Sequence, residues 1–255
     1  MKVRFLAIDG FNLIRRIYEA RNPLSATDMP AVVEAVEQSL QRALNRHKPT
    51  HAALVMEDHD RTWRHLLYPD YKANRSPTPE LLLQNLEAFS RAAAEVGIAS
   101  CSVSNYEADD VIATIATVVA EHDGEVVILS TDKVFLQLLR PTVIASDHFN
   151  DRTHRVDVIE SDYGIRPEQY VDYLALVGDK SNNVKGVPGI GPKSAVELLT
   201  RYSTLDAIME ASDDRLAEKV QAAEAEARRC RQLVQLKTDV ELNRNLKSFR
   251  VTIPG

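Results

Sequence analysis

The run VRFLAID, Val3 to Asp9, decides the architecture: a short, apolar, β-rich segment closed by a carboxylate. Four more runs of the same kind follow: HAALVM (His51 to Met56), GIASC (Gly97 to Cys101), EVVILS (Glu125 to Ser130) and TVIAS (Thr142 to Ser146). Helical patterns separate them. That alternation predicts βαβ units and therefore an α/β fold, a central mainly parallel sheet flanked by helices. In such sheets functional groups collect at the carboxyl ends of strands. Asp9, Glu57 and Asp132 each close or closely follow an apolar run.

After about Thr153 the strand signals fade. Residues 154–255 read as helical, with a turn from Gly164 to Pro167, a helix starting near Pro167, and one long charged helical pattern from Asp213 to Lys237. The expected division is an α/β domain over 1–153 and a helical region over 154–255.

With 255 residues, 44% of them hydrophobic, the chain can bury a substantial core. The apolar run from Val111 to Ala120 is too short to span a bilayer, and no cleavage signal follows the first strand. A cytoplasmic protein that makes no use of a membrane, and a monomer, is the expectation. Two distant cysteines without metal-ligand spacing, Cys101 and Cys230, suggest neither a disulfide framework nor a zinc site. The formal charge of -6 argues at first against nucleic acid, yet its distribution matters more than its sum.

Glu107, Asp109 and Asp110 stand immediately before a helical run. Acids there favour the helix dipole and cap its free amides. Three carboxylates within four residues also repel one another, and a parallel sheet brings Asp9, Glu57 and Asp132 to the same edge. Six carboxylates at one edge call for a hard divalent cation, Mg²⁺ or Mn²⁺.

The stretch VPGIGPKSAVELL, Val187 to Leu199, resembles a phosphate-binding loop, but Pro192 separates Gly191 from Lys193 and Ser194, and no strand precedes it. Glycines between two helices let a backbone approach a phosphate, with amides at the second helix's N-terminus donating to it. A nucleic-acid backbone phosphate is the expected ligand. The segment RTWRHLLYPDYKANR, Arg61 to Arg75, carries four cations against one acid, interleaved with Trp63, Tyr68 and Tyr71. It fits a solvated helix face, or a strand-binding surface on which Arg64 and its neighbours hold phosphates while rings stack on bases.

YEADDVIATIA, ILSTDK, RTWRHLLYPDYKANR and LVGDKSNNVKGVPGIGPKSA, taken together, resemble the 5′ nuclease (flap endonuclease) family, and within it the small bacterial exonuclease IX (Xni) type. The resemblance runs from Asp9 to roughly Leu242. It implies a helical arch at about 60–80 and a three-helix DNA-binding region with a helix-hairpin-helix at about 176–200. It implies structure-specific 5′ flap endonuclease activity, a divalent-metal hydrolysis of DNA phosphodiesters at 5′ flaps or single-strand/duplex junctions, in replication and repair. By the same resemblance Asp9, Glu57, Glu107, Asp109, Asp110, Asp132 and Asp179 are metal ligands. Asp109, Asp110, Lys72 and Arg75 are catalytic, the last two steadying the scissile phosphate, and Tyr71 stacks on a terminal base. Carbonyls of Leu176, Val177, Lys185, Val187 and Ile190 would hold K⁺, and Gly189, Ile190, Gly191, Pro192, Lys193 and Ser194 would touch DNA.

Two departures stand out: Val134 and Asn182 occupy positions where the family has aspartates of a second metal site. That site is expected to be depleted. Two other readings share many of these features: a structure-specific DNA-binding protein without turnover, and a PIN-type ribonuclease, which lacks the hairpin and basic segment.

Overall fold

The computed structural model describes residues 2–57 and 61–252. Asp58 and residue 60, the first of the expected arch range, lie outside it, as do residues 1 and 253–255. Five consecutive residues of β1 (Arg4–Asp9) are buried because the strand is central and covered on both faces. It pairs in parallel with β2 (His51–Val55) and β4 (Glu125–Leu129).

Between them the chain forms α1 (Gly10–Arg21) and α2 (Met29–His47), then α3 (Trp63–Leu67), α4 (Glu80–Leu83) and α5 (Leu86–Glu95), then β3 (Ala99–Cys101) and α6 (Ala108–Glu121). Beyond β4 come β5 (Val143–Asp147) and β6 (Arg152–His154). The sheet order is β3-β2-β1-β4-β5-β6, parallel except for the β5–β6 hairpin. The predicted α/β sheet is thus observed, with one antiparallel edge strand that its three-residue length hid from pattern reading.

Alternation along β1 divides the core. Phe5 and Ala7 face a layer containing α6 and the C-terminal helices, whereas Leu6 and Ile8 face α1, α2 and α5. The C-terminal helices are α7 (Val156–Tyr163), α8 (Tyr170–Val177), α9 (Pro192–Tyr202), α10 (Leu205–Met209), α11 (Arg215–Ala222) and α12 (Glu224–Val234). The long helix expected from Asp213 to Lys237 is in fact two. Ala223 leaves helical geometry at φ -114°, ψ 28°, and this break lets α12 bury Ala227, Cys230, Leu233 and Val234 against α8 and the first core. No helix among the described residues is long and apolar enough to cross a membrane.

Candidate active site

Parallel strands put the carboxyl ends of β1, β2 and β4 on one edge, and the N-terminus of α6 opens beside them. Asp9, Glu57, Glu107, Asp109 and Asp132 line one cavity there, of about 530 Å³, together with Lys72 and Arg75. Among the described residues no three acidic, histidine or cysteine side chains converge into a ready-made ligand cage. The shared cavity is what the structure gives.

Asp9 caps α1, one oxygen accepting from Asn12 N at 3.1 Å and the other from Ser130 Oγ at 2.7 Å. Ser130 Oγ also accepts from Asp132 N at 3.0 Å, so one hydroxyl ties the ends of β1 and β4. Asn12 bonds Thr131 through both amide atoms and completes this tie. Neither Asn12 nor Ser130 was expected as part of the site; the only signal in the sequence was an amide three residues past a strand-end aspartate.

Burial, and then repulsion from Glu57 and Asp132, raises the Asp9 carboxyl to about 7 despite its hydrogen bonds. Burial and the neighbouring Asp132 and Asp9 push Asp109 well up, and burial raises Asp132 as well. No hydrogen bond to the Asp109 carboxylate is found among the described residues. A set of buried and half-buried carboxylates that destabilise one another's charge is the donor chemistry a hard divalent cation satisfies. The first group of acids therefore fits such an ion.

Glu107 differs. Burial opposes its charge, but Lys72 and Arg64 more than offset this and hold its carboxyl below the usual range. Oε1 accepts from Lys72 Nζ at 2.6 Å; Oε2 accepts from Arg64 Nη1 at 2.9 Å and Tyr71 Oη at 3.1 Å.

Three expectations are corrected by this arrangement. Asp110 is fully buried, and its carboxylate accepts four bonds, from Arg64 Nη1 and Nη2, Trp63 Nε1 and Lys237 N, at 2.7–2.9 Å. All its lone pairs are used, so in this geometry it neither ligates an ion nor reacts. Arg64, expected on DNA, is 1% exposed, and its five N–H groups go to Glu107, Asp110 and the carbonyls of Leu233 and Gln235. Tyr71, expected to stack on a base, is buried with its ring edge-on to His65. Within Arg61 to Arg75, Trp63, Arg64 and Tyr71 thus fasten the segment onto α6 and onto residues 233–235 at the end of α12.

Asp179 lies apart from the shared cavity, in a neighbouring one that also touches Asp132 and Val134. Its Oδ1 accepts from Ser181 N and Oγ, and its Oδ2 from Asn182 Nδ2. Val134 is buried and apolar. Val134 therefore brings no oxygen to the side of Asp179.

In the glycine hairpin Gly178 and Gly186 have positive φ, 83° and 71°. A Cβ on Gly186 would fall 2.4 Å from Gly178 N and 2.7 Å from Leu176 O; one on Gly178 would fall 2.8 Å from Lys185 O. The absent side chains let the Leu176–Val177 and Lys185–Gly186 peptides touch, and Leu176 O accepts from Val187 N at 2.8 Å. The two peptides form a backbone cradle at the start of the hairpin. Gly191 caps α9, with Pro192 at its first position and Lys193 and Ser194 in its first turn; Gly189 and Lys193 are exposed and Ser194 is half-buried. Ile190 N donates to Val187 O at 3.1 Å and closes the turn between the cradle and α9.

Family models for the 5'-3' exonuclease N-terminal resolvase-like domain and the 5'-3' exonuclease C-terminal SAM fold match residues 4–164 and 165–254. The chain is 44% identical over 254 residues to the flap endonuclease Xni of Shewanella pealeana, covering 98% of each. It is 42% identical to that of Vibrio parahaemolyticus, covering 100% of this chain and 99% of the relative. The fold matches that of the bacteriophage T5 flap endonuclease, solved in a pseudo-enzyme-product complex with DNA and metal ions, at a TM-score of 0.72 and 20% identity, covering 91% and 88% of the two chains. The chain belongs to the 5'-3' exonuclease family, in its flap endonuclease Xni branch.

Proposed function

We propose that this protein is a structure-specific 5′ nuclease that hydrolyses DNA phosphodiesters at 5′ flaps and single-strand/duplex junctions, using Mg²⁺ or Mn²⁺. One observation carries the reading: Asp9, Glu57, Glu107, Asp109 and Asp132 share a single cavity with Lys72 and Arg75. Asp9, Glu57, Asp109 and Asp132 are the donors for the divalent ion, with Glu107 completing the set through the oxygen it shares with Lys72. When bound, the ion supplies charge neutralisation and generates a nucleophile from water at neutral pH. Lys72 and Arg75 hold the scissile phosphate and offset charge that develops on it. Asp110 and Arg64 fix the start of α6 and thereby the direction of Asp109.

The helical region beyond residue 153 is the duplex-holding part. The carbonyls of Leu176, Val177, Lys185, Val187 and Ile190 hold K⁺ in the cradle, and the backbone from Gly189 to Ser194 meets the DNA phosphates. Support comes from the fit of the glycine-pinched peptides and from the DNA-bound T5 relative of the same fold.

The test is cleavage of an end-labelled 5′-flap DNA with Mg²⁺, Mn²⁺ or EDTA, for the wild type and Asp109→Ala. Metal-dependent cutting near the junction that disappears in Asp109→Ala supports the nuclease. Binding without cutting under every metal condition removes it and leaves a DNA-binding protein.

A further inference from the structure

We propose that a second, basic cavity, between α1, α2 and the turn that joins β5 to β6, binds a phosphomonoester: the terminal phosphate of a nucleotide or of a strand end. The inference stands apart from the nuclease reading above, since neither the acidic cluster nor the glycine hairpin enters it.

The cavity has a volume of about 910 Å³. On α2, Ala35, Ser39, Arg42 and Arg46 succeed one another at intervals of four, three and four residues and so form one stripe along its wall. Arg16, Ala20 and Arg21 of α1 line it too, and the turn after β5 adds His148 and Phe149. Small side chains at Ala20, Ala35 and Ser39 leave the space between the helices open. His148 Nε2 and Ser39 Oγ share a hydrogen bond of 3.0 Å, and His148 Nδ1, although buried, has no partner among the described residues. The Arg16 guanidinium lies 5.4 Å from the centre of the Phe149 ring, which is 41% exposed and gives a base or sugar an apolar surface.

Four arginines and one acid, Glu19, line this space, and Glu19 is engaged by Arg15 Nε at 2.8 Å. Arg46 pairs with the exposed Asp151, whereas Arg16, Arg21 and Arg42 form no salt bridge among the described residues. Asp147 feels the charge of Arg16, but its oxygens accept from Phe149 N, Asn150 N and Asn150 Nδ2 within its own turn. Helix dipoles account for Arg21 and Arg46, each in the last turn of its helix. They do not account for Arg16 and Arg42, which stand more than a turn further in. Guanidinium groups gathered round one space repel one another unless an anion joins them. A phosphodiester within a strand carries one charge and is flanked by sugars on both sides. A phosphomonoester carries between one and two charges near neutral pH, offers three acceptor oxygens and can enter a concave site end first. Forked donors arriving from two helices suit the second kind of group. Arg16 and Glu19 also line the cavity of the acidic cluster, so an end group bound here would lie beside that cavity along α1.

Isothermal titration calorimetry in EDTA tests this without turnover. The probes are a short single strand with a 5′-phosphate, the same strand with a 5′-hydroxyl, and a deoxynucleoside 5′-monophosphate. The wild type should bind the phosphorylated strand about tenfold more tightly than the other, the scale of one charge-assisted hydrogen bond. Arg42→Gln should bind the two strands alike, and so should Ala20→Trp, which fills the space without removing a charge. Arg42 and Ala20 are exposed, so both variants keep the fold, which thermal unfolding checks. Monophosphate binding that both variants lose would support the pocket and identify free nucleotides as a source of its phosphate. A strand preference without monophosphate binding, lost in both variants, would support it and identify strand ends. Equal affinity for the two strands together with no monophosphate binding overturns the proposal. A phosphate preference that survives both variants overturns it as well, and would place the phosphate against Lys72 and Arg75 instead.

Discussion

Lys72 Nζ meets Glu107 Oε1 at 2.6 Å, with Lys72 in the left-handed backbone region at φ 57° and its amide bonded to Asn182 O. A non-glycine residue adopts that backbone at a cost, which the bonds on both of its ends offset. The lysine is thereby fixed at the mouth of the acidic cavity. Burial works against its charge, and Glu107, Glu57 and Asp109 more than restore it. Lys72→Met should lower single-turnover cleavage of a 5′-flap DNA by roughly 10²-fold or more, the scale of one lost electrostatic donor. Its thermal midpoint should fall only slightly, because Glu107 keeps Arg64 and Tyr71. Cleavage within a few-fold of wild type would assign the phosphate to Arg75 alone.

Arg64 predicts the opposite profile. Removing it leaves Glu107 and Asp110 without their buried partner and strands two carbonyls. Arg64→Met should cost about 3–5 kcal/mol in urea unfolding. Arg64→Lys should recover little of this, since three ammonium donors cannot replace a five-donor fork. A loss below about 1 kcal/mol would show that solvent relaxes into the space.

The sheet, the edge carrying the acids and the glycine hairpin were legible because each depends on local pattern: strand alternation, strand-end carboxylates, and glycines placed between helices. Arg64, Tyr71 and Asp110 were misread because residue type does not reveal burial. A cation amid aromatics looks the same in sequence whether it awaits a phosphate or binds two carboxylates inside. The partners that decide between these, Leu233, Gln235 and Lys237, lie more than 160 residues further along the chain from Arg64. Ala223 likewise carries no breaker chemistry; the packing of α12 on α8 ends the helix there.

The raised carboxyls make stability depend on pH in a definite direction. Asp9 binds its proton up to about 7 when folded and only to about 3.8 when unfolded. Its favourable contribution is present below the unfolded value and is lost as pH rises through 7. Thermal midpoints in EDTA should therefore fall between pH 5.5 and pH 8 relative to Asp9→Asn, which keeps the cap on α1 but has no proton to lose. The comparison with the variant is essential, since His47 and His148, whose pKa values burial lowers, act in the opposite sense over the same range. Saturating Mg²⁺ should flatten the difference by favouring the ionised form. An identical slope in wild type and variant would mean that Asp9 titrates normally.

The glycines of the hairpin should separate folding from DNA contact. Gly186 has φ 71°, and a methyl there would lie 2.4 Å from the backbone nitrogen of Gly178, a collision that no side-chain rotation relieves. Gly186→Ala should therefore open the Leu176–Lys185 cradle, lower the thermal midpoint and abolish any dependence of duplex binding on K⁺. Gly191 is different: its φ of -101° suits any residue, and a methyl there would meet nothing within 4 Å. The fold has no use for its lack of a side chain; in the proposed DNA-binding role, close approach of a phosphate to the first amides of α9 would. Gly191→Ala should keep the wild-type midpoint yet weaken duplex binding several-fold in fluorescence anisotropy, with little change in salt dependence because no cation is removed. Equal affinity in Gly191→Ala and wild type would place the phosphate elsewhere than on this helix end.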